Sequence, residues 1–204
     1  MAERQLASRL REVLGRLSQG ADLRETLDEI LRIMADASGC ESLGIRWRAG
    51  DDCPYYVTRG FGRKFLVVEG RLCIRGPAGV IERHPDGTAK LACMCGAVVE
   101  GRTDATLPYI TDGGSFWTNG TTALLRDSPP IEAGLVTRNY CNVMGYESVA
   151  LIPLRVGRET YGLLQLNSYA PGRFREKRIV QYEGLAREIA EAIAPHKGKA
   201  EELS

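Results

Sequence analysis

An α+β fold is expected for this chain on three observations. Helical periodicity marks both ends, with apolar residues recurring every three or four positions. Inside those ends lie two pairs of short strand-like runs. Between the pairs, from Cys93 through Cys141 and Asn142, runs a long stretch without strong periodicity, rich in cysteine, hydroxyl and amide side chains. At 204 residues the length suits one domain with appendages, and no linker divides it.

Leu6, Leu10, Val13, Leu14 and Leu17 place an amphipathic helix over 4–18, which Gly20 stops. A second helix starts at Asp22, with Glu25 three positions later in a capping-box pattern and Gly39 as its C-terminal glycine. Leu23, Leu27, Ile30, Leu31 and Met34 are its apolar face. Leu43, Ile45 and Trp47 alternate with Gly44, Arg46 and Arg48, the pattern of a half-buried strand. After a turn through Pro54 comes a strand from Tyr55 to Phe61, and 64–68 are read as continuing the sheet. Extended pieces follow around Cys73 and Ile81, then a turn at His84–Gly87 and a short helix over 91–99. Gly120, Thr121 and Thr122 open another short helix through Leu125, closed by Pro129 and Pro130. Ser148 to Arg155 and Tyr161 to Ser168 form a second hairpin, with Pro153 marking an edge or a bulge. The last helix spans 174–194. Its Ile179, Tyr182, Ala186, Ile189 and Ile193 step by three and four, as in a coiled-coil seam.

Composition narrows function. Apolar residues make up 44% and charged residues 26%, which suits a water-soluble globular chain. A net charge of +1 gives no clustered basic footprint for nucleic acid. No run approaches the roughly 18 apolar residues of a membrane span, and the N-terminus lacks a signal-peptide core, so a cytoplasmic protein is expected. In that compartment the six cysteines read as free thiols, metal ligands or redox centres rather than disulfides. With only His84 and His196, no triad has a plausible base and no His-rich zinc site can form. No Walker loop or Gly-x-Gly-x-x-Gly occurs.

The aperiodic stretch is read as the wall of a small-molecule pocket, because long irregular segments in compact domains tend to be functional. Cys93, Cys95 and Cys141, with Cys73 as a fourth, are the candidate thiolates for zinc, an iron–sulfur cluster or haem; the reading adopted needs no cofactor. On a regular helix Cys93 and Cys95 would point about 200° apart and could not share a metal, and no Cys-x-x-Cys pair occurs. Gly113 to Thr122 can offer backbone N–H groups to an anion ahead of a helix, with Arg138 as a charged fork. Phe116 and Trp117 would then cover the ligand's apolar part, with Thr118 and Asn119 beside them. The bland alternative is a loop whose Thr and Asn side chains satisfy their own backbone.

The order helix, strand pair, excursion, strand pair, helix resembles the GAF domain. The residues that carry the resemblance are Cys95-Gly96-Ala97-Val98-Val99, the run from Gly145 to Leu154, and Tyr161 to Leu166. Gly114 to Asn119 and Thr137 to Asn142 resemble GAF domains found beside sensor histidine kinases. The likeness runs from about Asp22 to Ala194. It implies an antiparallel sheet with the N- and C-terminal helices packed on one face and a ligand pocket on the other. It further implies a small-molecule sensor that dimerises through its terminal helices and signals to an output domain such as a histidine kinase. On this division 1–20 is a signalling or dimerisation helix, 21–194 the sensory domain and 195–204 a polar tail. Two alternatives stand beside it. One is a thiol enzyme resembling free methionine-(R)-sulfoxide reductase, with Cys95 and Cys93 as its thiols. The other is a ligand-free dimerisation module plugged by Phe116 and Trp117.

Overall fold

Strands β1 (Ser42–Trp47), β2 (Tyr55–Arg59), β3 (Phe116–Thr118), β4 (Ser148–Val156) and β5 (Glu159–Ser168) make one antiparallel sheet in the order β2-β1-β5-β4-β3. The computed structural model describes residues 3–127, 137–196 and 198. Both expected hairpins form, and β1 joins them by pairing with β5 from Ser42↔Asn167 to Trp47↔Gly162. The short edge strand β3 comes from inside the aperiodic stretch, where no strand was expected. Pro153 fits both of its readings. Pairing of β4 with β3 ends at Leu151, so Pro153 has a partner strand, β5, on one side only, and a register shift follows at Leu154/Arg155.

Helices α1 (Glu3–Gly15), α2 (Leu23–Ser38) and α7 (Glu176–Ile193) cover one face of the sheet. Asp22 caps α2 by accepting the Glu25 N–H at 3.0 Å, and Gly39 ends it at φ 67°. The core beneath these helices joins Leu43, Ile45, Trp47, Ile152, Leu164 and Leu166 to Ile30, Leu31, Met34, Tyr182 and Ile189. The expected coiled-coil seam of α7 is instead core. All five of its residues are buried, and Leu185 and Ala190 widen them into a broad stripe against the chain's own sheet. Leu6, Leu10 and Val13 of α1 are buried in the same cluster, and Arg11 grips Glu188 of α7 through two bonds of 2.9 and 2.7 Å.

The opposite face is covered by α3 (Arg63–Glu69), α4 (Cys93–Glu100), α5 (Thr121–Asp127), α6 (Tyr140–Val143) and the segments between them. Residues 64–68 are therefore helical, not a continuation of the sheet. Only Phe65 and Glu69 of α3 are buried, four residues apart, while Val67 is 75% exposed, so its pattern has the helical period. Since both faces are covered, β1 is buried throughout rather than half-buried. Gly44 leaves room on this second face: a Cβ there would lie 2.7 Å from the Tyr55 ring. The pieces around Cys73 and Ile81 form isolated bridges, Cys73↔Leu91 and Arg75↔Ile81, and the turn at His84 closes through Gly87 N–H to His84 O. Pro129, Pro130 and all of the polar tail except 195, 196 and 198 lie outside the described residues.

Candidate functional site

A cavity of about 90 Å³ lies between the second face of the sheet and its covering helices. Its wall takes Glu69 from α3, Cys93, Met94 and Cys95 from α4, Phe116 from β3, and Thr121, Leu124 and Leu125 from α5. Thr137, Asn139 to Asn142 and, from β4, Val149 and Leu151 complete it. Four of the expected pocket residues, Cys93, Cys95, Phe116 and Cys141, thus meet at one place.

The backbone around this cavity is strained. Among the described residues the non-glycine positions with positive φ are Cys93 (63°) and Asn139 (52°), and both are wall residues. L-residues adopt that region at a cost, and such outliers concentrate at functional sites. At Cys93, the first residue of α4, the left-handed backbone departs from helical geometry, and Cys93 and Cys95 both reach the cavity. The Cys93 thiol also accepts the Arg138 backbone N–H at 3.1 Å.

Below the wall lies a buried polar floor. Tyr55 donates its hydroxyl to Gln165 Oε1 at 2.7 Å, and Gln165 Nε2 donates to Asn167 Oδ1 at 3.0 Å. Cys95 and Cys141 flank this pair: the Cys95 thiol reaches Gln165 Oε1 at 3.9 Å, and the Cys141 sulfur accepts from Asn167 Nδ2 at 3.5 Å. Arg46, fully buried, stacks 3.6 Å above the Tyr55 ring and donates to the backbone oxygens of Cys53 and Glu69. Arg138 pairs with Glu69 Oε2 at 3.2 Å.

Burial governs the thiols. It pushes Cys95 well above the ordinary thiol value, raises Cys93, and lifts Cys141 to about 12, although part of the Cys141 residue reaches solvent. At neutral pH thiols held this high stay protonated and are weak nucleophiles. Cys73 stands apart, donating to Asp52 Oδ2 at 3.3 Å. Among the described residues no group of three or more His, Cys, Asp or Glu side chains is placed to hold a metal ion, and the cavity is far too small for a haem.

The other expected site residues have different roles. Trp117 faces the opposite side of β3 and packs against the helix-side core. The Thr118 hydroxyl accepts the Gly120 N–H at 3.2 Å. Asn119 clamps Phe174 ahead of α7, donating to its O and accepting from its N, each at 2.8 Å. Arg138 is engaged by Glu69 rather than free for a ligand anion. Within and beside the loop expected to face a ligand anion, several donors are engaged by the chain's own carboxyl groups. Thr111 and Ser115 donate their hydroxyls to Glu183 of α7, and Thr122 at the start of α5 donates N–H and O–H to Glu147. Sequence reasoning missed Glu69, Arg46, Tyr55, Gln165 and Asn167. A signal for the last two exists: in Leu164-Gln165-Leu166-Asn167 the polar residues alternate with core leucines and so share the other face.

A broader hollow of about 1070 Å³ lies elsewhere, lined by Trp47, Arg48, His84, Glu100 and Arg158 among others. There Glu100 accepts from both His84 and Arg102, and the hollow holds none of the residues with positive φ other than glycine.

A five-stranded antiparallel sheet with long helices on one face, and short helices over a cavity on the other, defines the α+β fold of this chain. The sequence model of the GAF domain matches residues 22–193, and the chain belongs to the GAF domain family. No curated protein matches it in sequence. Among solved structures it is similar to the GAF domain of the Acinetobacter phosphoenolpyruvate-protein phosphotransferase, at 16% identity and TM-score 0.57 over 95% of each chain. It is also similar to free methionine-R-sulfoxide reductase from Neisseria meningitidis, at 15% identity and TM-score 0.57 over 98% of this chain and 90% of that one. A third likeness is to the domain of a Sinorhizobium meliloti protein described as a two-component sensor histidine kinase, at 12% identity and TM-score 0.52 over 86% of this chain and 92% of that one. At these identities the likeness establishes the fold. Among the described residues no helix is long and apolar enough to cross a membrane.

Proposed function

We propose that this GAF domain is the input module of a cytoplasmic signalling protein, binding a small molecule in the cavity beneath α4, α5 and α6. The observation that carries the reading is that a walled cavity coincides with strained backbone at Cys93 and Asn139. The ligand site comprises Cys93, Cys95, Phe116 and Cys141, with Glu69 and Tyr140 added to them. A route to the helical face runs through β3. Phe116 lines the cavity, the adjacent Ser115 donates to Glu183 of α7 at 2.6 Å, and Asn119 anchors the entry to α7. A ligand that favours one position of β3 biases α7, and with it a homodimer formed through the terminal helices and an output domain of the histidine-kinase type.

A thermal-shift screen of the full chain against a metabolite library tests this reading, followed by hydrogen exchange across 176–193 with any hit. At least one chemical class should raise Tm and alter exchange in α7. A library that moves neither would sink the proposal.

The sharing of one cavity by three thiols favours a second reading, a methionine sulfoxide reductase-like enzyme. Their raised pKa values weigh against it. Thiol-dependent turnover of free methionine-(R)-sulfoxide, lost in Cys95→Ser, would establish it instead.

A further inference from the structure

Among the described residues that wall the small cavity, Glu69 is the one charged side chain, and the fold has already answered it: Arg138 pairs with its Oε2 at 3.2 Å. The sulfurs are neutral too, since burial raises all three wall thiols. The Thr121 hydroxyl donates to Tyr146 O at 2.6 Å and accepts from Asn142 Nδ2 at 3.1 Å, so it is occupied within the chain. Thr137, Asn139 and Tyr140, from one short segment of the wall, carry no charge. A charged molecule entering here would give up its hydration and meet no free counter-charge, which is a heavy cost in a buried place.

What the wall offers instead is apolar surface. Met94, Phe116, Leu124, Leu125, Val149 and Leu151 all line the cavity, and they reward any molecule that fills it through dispersion and lost apolar hydration. Size sets the second limit. An apolar cavity of about 150 Å³ takes benzene, so one of about 90 Å³ takes roughly four heavy atoms. We propose that the ligand of this domain is an uncharged apolar molecule of about four heavy atoms, held by the shape and apolar surface of the wall rather than by an ion pair. This deepens the reading of the cavity as a ligand site and rests on it.

Four probes of one shape, three atoms around a central carbon, test the proposal: isobutane, 2-propanol, isopropylammonium and acetate. Each is titrated into the ¹⁵N-labelled full chain while the amides of 93–95, 121–125 and 149–151 are followed. Isobutane should bind about tenfold more tightly than 2-propanol, the scale of a hydroxyl buried without a partner. Neither ion should give a saturable shift. Leu124 is partly buried on α5, so Leu124→Phe fills the space from a helix with an open side and should abolish the isobutane shifts. If none of the probes moves these amides, the cavity reading falls and takes this inference with it. If 2-propanol or an ion binds as tightly as isobutane, the cavity stands and the inference is overturned. Isobutane shifts that survive Leu124→Phe also overturn it, because the molecule then sits elsewhere. If that variant fails to fold, the order of the four probes on the natural chain decides.

Discussion

Cys53 shows how strongly this fold controls individual ionisable groups. It is completely buried against Phe65, Leu72 and Leu163 in the core of the cavity side, and burial lifts its thiol from 9.0 to about 12. The nearby Arg46 pulls the other way, but desolvation dominates. Between pH 9 and 12 the unfolded chain loses this proton while the native state keeps it. The native state then holds more protons, so stability is complete below pH 9 and falls as pH rises, at up to about 1.4 kcal/mol per pH unit for this group. Urea denaturation at a series of pH values should show that decline, and Cys53→Ala should flatten it relative to the natural chain. An identical slope in the variant would mean that the thiol is not held neutral. The same physics bears on the cysteines as a sequence motif. A cysteine cluster read from sequence points to metal or redox chemistry, but burial raises the clustered thiols here, and neither that burial nor the positive φ of Cys93 has a signature in residue identity.

The elements themselves were largely legible. Helices α1, α2 and α7 and the pairs β1–β2 and β4–β5 followed from period and capping, which depend on neighbours close in sequence. Edge strand β3 was not legible. It is three residues long, and its pairing with Val149–Leu151 is a contact across more than thirty residues that no local period encodes. Its flanking polar residues looked like a binding loop because Thr, Asn and Gly suit both ligand contacts and self-satisfied turns. Asn119 illustrates the outcome: both ends of its amide are taken by Phe174, and its Oδ1 also accepts from Ser148. Asn119→Ala should therefore lower stability by about 1–3 kcal/mol, by stripping two bonds from partly buried backbone. Probe binding at the cavity should remain, since Asn119 is not in its wall. A variant that kept its urea midpoint but lost probe binding would return Asn119 to the site.

At the scale of the whole molecule, the two faces of the sheet divide the work, and the terminal helices belong to the fold as much as to any dimer. Read from spacing alone, Ile189 is a seam residue whose loss should separate two copies. In the structure it is 0% exposed and packs with Ile179, Tyr182 and Ile193 over the sheet. The two placements predict different experiments. Ile189→Ala should cost about 2–5 kcal/mol in urea unfolding, the range for truncating a buried isoleucine, and leave the mass of the native species unchanged. A seam residue would instead give a dissociated but stable monomer. A homodimer through the terminal helices, as proposed, would use the outer surfaces of α1 and α7, where Val180 is 53% exposed. That geometry fits the signalling route, because α7 can move against a second copy only as a unit with the sheet-facing stripe that anchors it. A ligand acting on β3 through Phe116 would therefore register as a shift of the whole helix, while a change confined to its surface would leave the cavity untouched. Light scattering and urea unfolding of Ile189→Ala, measured on the same sample, separate the two: lost stability at constant mass supports the anchored helix, and reduced mass at constant stability refutes it.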